Sequence, residues 1–117
     1  MSKKTQTSLI DFQSEEFASG EIIRKLKLEL MMLKRMGIEK VKIAHGQGNS
    51  KDGDNISNIV RAELLEQARD EKINGFAPGE VFGPFEKEGK QLVEIDPSFR
   101  DDEDWSKSNS MVTLVSL

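Results

Sequence analysis

The chain has 117 residues, 36% of them hydrophobic, no cysteine and a formal net charge of −4. That length suits one domain core without staples, and the lack of cysteine excludes disulfides, thiolate zinc sites and cysteine nucleophiles, as expected of a reducing, cytoplasmic setting. No apolar run approaches a membrane span, no apolar leader follows Lys3 and Lys4, and the charge has the wrong sign for binding nucleic acid by bulk electrostatics.

Residues 1–8 read as a flexible polar arm ahead of one domain over 9–117. Residues 8–12 hold Leu9, Ile10 and Phe12 beside polar neighbours and read as a first strand. From about 15 to 36, Phe17, Ile22, Ile23, Leu26, Leu30, Leu33 and Met36 recur at three- and four-residue steps, which predicts a helix. Gly37 is placed to end it in the left-handed conformation. Residues 24–42 carry seven lysines and arginines against Glu29 and Glu39, so the rest of the chain is strongly acidic. Methionines 31, 32 and 36 read as core or helix-surface filler.

Val41 and Ile43 mark a second strand at 40–44, closed by a polar loop over 45–53. Asp54 or Asn55 is a candidate cap for a helix whose Ile56, Ile59, Val60, Leu64 and Ala68 share one side. Strand, helix, strand, helix implies a right-handed crossover and parallel first strands. A third strand is expected near 73–77. Glycines and prolines then break the pattern, and residues 81–86 with 91–95 read as an inserted hairpin turning at Glu88-Gly89. Residues 80–109 thus form an insertion ending in an acidic loop, in which Trp105 either anchors the loop or meets a partner. Residues 111–117 are apolar and β-branched, the pattern of a final strand well inside the sheet. The expected fold is α/β: a two-layer sandwich of β-α-β-α-β-β type with a mixed four-stranded sheet.

In this order of elements, Gly37-Ile38-Glu39-Lys40-Val41-Lys42-Ile43-Ala44-His45-Gly46-Gln47-Gly48 resembles the helix-ending glycine, apolar strand and His-Gly-x-Gly loop of the small MutS-related (Smr) family. Gly53 with Ile56, Val60 and Leu64 resembles the opening of that family's second helix, and residues 111–115 resemble its last strand. The family's first motif, leucine-aspartate-apolar-histidine-glycine, aligns with Ile10-Asp11-Phe12-Gln13-Ser14, where Gln13 and Ser14 replace histidine and glycine. Ser57 stands where an arginine is frequent. The resemblance implies nucleic-acid binding, of RNA or branched DNA, with endonuclease activity in some members.

On this reading Asp11 and His45 end two parallel strands and meet at the edge where such sheets bind ligands. His45, near its ordinary pKa of about 6.5, is the candidate acid or base for phosphodiester cleavage. Asp11 would orient it or hold a largely hydrated Mg or Mn ion; no tight metal site is predicted. Gly46, Gln47 and Gly48 would offer backbone N–H groups to a phosphate, Lys42 and Lys51 would neutralise it, and Gln13 would hydrogen-bond without titrating.

Plainer readings stand beside these. A strand-end histidine often only hydrogen-bonds backbone, and an aspartate before a turn often caps it. Gly48 and Gly53 imitate a phosphate-binding loop, but Asp54-Asn55 occupies its Lys-Ser/Thr positions. Asp52, Asp54 and Glu63 imitate a calcium loop lacking its turn glycine. A non-catalytic interaction module recruiting a protein through residues 94–109 is the rival function, and a small phosphometabolite hydrolase is a third.

Overall fold

The computed structural model describes residues 7–117. Strand β1 (Thr7–Asp11) is followed by α1 (Ser19–Arg35), β2 (Lys40–Ala44), α2 (Ile56–Arg69), β3 (Gly75–Pro78), α3 (Lys87–Ile95) and β4 (Val112–Ser116). Short 3-10 turns at Gly79–Val81 and Pro97–Asp101 flank α3. The strands form one mixed sheet in the order β1-β2-β4-β3, with β1 parallel to β2 and β4 antiparallel to both its neighbours. The two-layer α/β sandwich and the interior place of the last strand are as expected from sequence.

Alternation along the strands assigns each side chain a face. Ile10, Phe12, Val41 and Ile43 point toward α1 and α2 and form the main core with Ile22, Leu26, Leu30, Val60 and Leu64. Ala77, Val112 and Leu114 point the other way, under Phe82, Leu92 and Phe99, with Trp105 packed against them. The segment between β3 and β4 therefore closes the sheet's second face, which would otherwise be wet.

Helix ends follow the residues available. At the end of α1, Gly37 has φ +83, its N–H donates to Lys34 O, and Ile38 N–H donates to Leu33 O. This paired arrangement satisfies the last carbonyls. Asn55, of the two candidate caps, starts α2 by accepting from Asn58 N–H at 3.1 Å. Helix α1 begins at Ser19, later than periodicity suggested, because the chain before it is held elsewhere: Phe17 O accepts from Lys51 N–H at 2.8 Å.

Three expectations are corrected. Thr7 and Ser8 belong to β1 and not to a polar arm; the rest of the expected arm, residues 1–6, lies outside the described residues. The third strand starts at Gly75 and reaches Pro78. The inserted hairpin does not form: residues 87–95 are helical and bury Leu92. Gly89 was read as a turn glycine, but it is a close-approach glycine. A Cβ there would overlap the backbone of Gly83, so only glycine lets the first turn of α3 lie against that segment.

Candidate functional site

The carboxyl ends of β1 and β2 and the N-terminal end of α2 share one edge, as in other open α/β sheets. The edge carries a hollow of about 320 Å3 bordered by Gln13, Glu15, Glu16, Gly46, Gln47 and Gly48. Gly46 has φ +68, and a Cβ on it would come within 2.9 Å of Gln13 Nε2, so the glutamine side chain lies directly over the glycine. Gln47 Nε2 donates to Ser110 Oγ across the hollow's far side. Gln13 and Gly46–Gly48 are thus brought together, but the Gly46 N–H donates to Met111 O at 3.0 Å and is not offered to a phosphate as the sequence suggested.

His45 also borders the hollow, but its ring is only 1% exposed. It continues the inward-facing series of Val41 and Ile43 and lies on the α2 side of the sheet. Nδ1 is 2.8 Å from Gly46 O, and Nε2 is 2.8 Å from Thr113 Oγ1. A carbonyl only accepts, so Nδ1 carries the proton. Arg61 Nε donates to the same threonine oxygen at 3.2 Å. The neutral ring is then completed by Thr113 O–H donating to Nε2 while its oxygen accepts from Arg61. Arg61 in turn makes a two-pronged pair with Glu80, at 3.0 and 2.8 Å. Burial pushes the His45 pKa below its ordinary 6.5, and the Arg61 charge adds to that; the Gly46 carbonyl and Glu80 oppose without reversing it. The result is a neutral imidazole locked in one tautomer, with both nitrogens occupied by protein.

Asp11 does not meet it. Asp11 is registered with Ala44, one residue before His45, so strand alternation puts the two side chains on opposite faces of the sheet. The Asp11 carboxylate accepts from Gln13 N–H at 2.8 Å, and that bond, with one from Ser14, holds its pKa below the usual carboxylate range. It caps its own turn. Lys42 also faces away from the hollow, with its ammonium 2.8 Å from Asp102 and in contact with Asp104. Burial alone would lower its pKa, but the hydrogen bonds it donates to these two aspartates outweigh burial and raise it. Lys51 is exposed and does not border the hollow. A divalent ion at an Asp11–His45 site does not fit: the ring has no free nitrogen, the carboxylate lies across the sheet, and no metal-holding cluster occurs among the described residues.

Two groupings escaped the sequence reading. One is the buried His45–Thr113–Arg61–Glu80 chain, whose members lie far apart in sequence; its one local sign is the polar Thr113 between apolar neighbours in β4. The other ties the start of α1 to the loop before α2. The single Ser19 O–H is shared between Asp52 at 2.9 Å and Asp54 at 3.0 Å, and Ser50 Oγ donates to Asp52 at 2.7 Å. The Ser50 hydroxyl, then the Ser19 N–H and hydroxyl, hold Asp52 down at about 2. The acidic residues of the loop before α2 therefore form a latch, which explains why they imitate a calcium loop without being one. Comparison with protein-family models, with curated proteins and with solved structures found no match.

Proposed function

We propose that this chain is a divergent Smr-like domain that binds a partner without cleaving phosphodiester bonds, working as a cytoplasmic interaction module. The observation that carries the reading is the state of His45. A general base needs a lone pair free to reach a substrate proton, and Nε2 spends its lone pair on Thr113 inside the core. Gln13, in the place of the family's first-motif histidine, cannot titrate, and Asp11 caps its own turn on the opposite face. Together these leave the edge with hydrogen-bonding groups but without the expected Asp11–His45 acid-base pair.

Within the acidic insertion, some of the groups a partner could use are already engaged inside the chain. Asp102 and Asp104 are spent on Lys42, and Phe99 and Trp105 pack against Phe82. The test is a nicking assay on single-stranded RNA and branched DNA with Mg and with Mn, across a salt series. Background rates identical for wild type, His45→Ala and Asp11→Asn are expected. Nicking by the wild type that both substitutions abolish would refute the reading.

A second reading keeps nucleic acid as the partner, held across Gly46–Gly48. It is favoured by the polar side chains of Gln13, Gln47 and Asn49 at the hollow, although the Gly46 N–H is taken by Met111 O and the Gln47 amide donates to Ser110. Glu15 and Glu16 stand at the same hollow and oppose a phosphate. This reading requires binding that weakens steeply with salt and is lost when Gly46 is replaced.

A further inference from the structure

We propose that the concave strip between α1 and the C-terminal end of α2 docks an acidic amphipathic helix of a partner protein. This rests on the interaction-module reading and names its surface and partner chemistry. Helix α1 carries two apolar stripes. Ile22, Leu26 and Leu30 are buried against the sheet and α2, while Leu28, Met31, Met32 and Met36 face outward. Leu28 is 49% and Met31 44% exposed, more than core filling explains. Their spacing of three, four and eight residues repeats the periodicity of a contact face.

Leu28 and Met31 of the outer stripe border a hollow of about 530 Å3, with Leu30 and Leu117 completing its apolar lining. Lys27, Lys34, Arg35 and Lys72 surround it, and Glu71 is the one acidic side chain among the residues that line it. Among the described residues, Lys27, Arg35 and Lys72 form no ion pair, and Lys34 Nζ donates to Lys72 O at 2.9 Å. A chain of net charge −4 thus gathers unneutralised cations around one apolar strip.

Charge and shape select the occupant. An apolar lining with a cationic rim complements a helix presenting leucine-like side chains flanked by carboxylates, and the flexible Met31 adapts to such a ligand. No aromatic ring borders the strip to stack a nucleobase, and phosphates would leave its lining uncovered. A flat bilayer does not enter a hollow. The polar stretch before β1 brings Lys3 and Lys4, the same sign as the rim.

The experiment titrates the full-length 15N-labelled protein with two synthetic helical peptides about five turns long. Both carry one leucine stripe, flanked by glutamate in one and by lysine in the other. The expected result is amide shifts confined to the second half of α1, residues 67–72 and Leu117, with the glutamate peptide bound roughly tenfold tighter. Met31→Glu should weaken it at least about tenfold while leaving far-ultraviolet circular dichroism and Trp105 emission unchanged, and Lys27→Glu with Arg35→Glu should reverse the peptide preference. No shift, shifts elsewhere, equal binding of both peptides, or binding only to phosphatidylserine vesicles would overturn the proposal. Concentration-dependent dimers abolished by Met31→Glu would overturn it in favour of a second copy as occupant. Nicking together with selective peptide binding would sink the non-cleaving reading and leave the docking strip standing; neither nicking nor binding would do the reverse.

Discussion

Thr113→Val is the substitution that exposes how the buried histidine is held. Valine keeps the shape of threonine and the apolar packing of β4, so the change removes one hydroxyl. That hydroxyl donates to His45 Nε2 at 2.8 Å and accepts from Arg61 Nε at 3.2 Å. Arg61 keeps Glu80 and the Ser110 carbonyl, but Nε2 is left buried without a donor, since no water reaches a ring 1% exposed. An unsatisfied buried acceptor costs about 1–3 kcal/mol, and about 2 kcal/mol is expected here. Unfolding entropy of about 2.1 cal/mol/K per residue gives roughly 0.25 kcal/mol/K for this chain, hence a Tm lowered by about 8 °C at pH 7.5. The assay is calorimetry or circular dichroism with reversibility checked. Adding His45→Leu should recover part of the loss, because removing both polar partners is cheaper than orphaning one. A Tm within about 2 °C of wild type for Thr113→Val would show that the hydroxyl does not satisfy the ring.

Three further outcomes follow from the same geometry. The folded His45 pKa is depressed, so the unfolded chain binds its proton first; stability should be full above about pH 6.5, fall as pH drops from there to the folded pKa, and then flatten. Asp11, Asp52 and Asp104 add a separate loss below about 3.8, and a urea-midpoint profile of His45→Leu should lack the first step while keeping the second. Gly89→Ala should cost about 3 kcal/mol or more, because a Cβ overlaps the Gly83 backbone; tolerance would mean that α3 does not seat there. Lys42→Ala should strand two largely buried aspartates, lower stability by about 3 kcal/mol and red-shift Trp105 emission, whereas a solvent-facing lysine would leave both unchanged.

Much of the architecture was legible because long periodic segments leave few alternatives. The apolar steps of α1 and α2, Gly37 at a left-handed turn and the β-branched final strand each identify their element from local residues alone. The insertion was not legible. Gly89 is chemically the same whether it turns a hairpin or admits a neighbouring backbone, and only the position of Gly83 distinguishes the two. The edge of the sheet was found, but not the faces. Asp11 and His45 do end adjacent parallel strands, yet their convergence depended on register, and Asp11 pairs with Ala44 and not with His45. Lys42 was miscast for a related reason, since its partners Asp102 and Asp104 arrive from sixty residues away by sequence numbering.

Long-range proton–nitrogen NMR of the single imidazole, followed from pH 8 to pH 5, bears on all of this at once. The signal expected at neutral pH is a ring protonated on Nδ1 alone, with Nε2 an acceptor and titration displaced below 6.5. A ring that exchanges between tautomers and titrates freely near 6.5 would mean that His45 is open to solvent and substrate, and the non-catalytic assignment would be wrong.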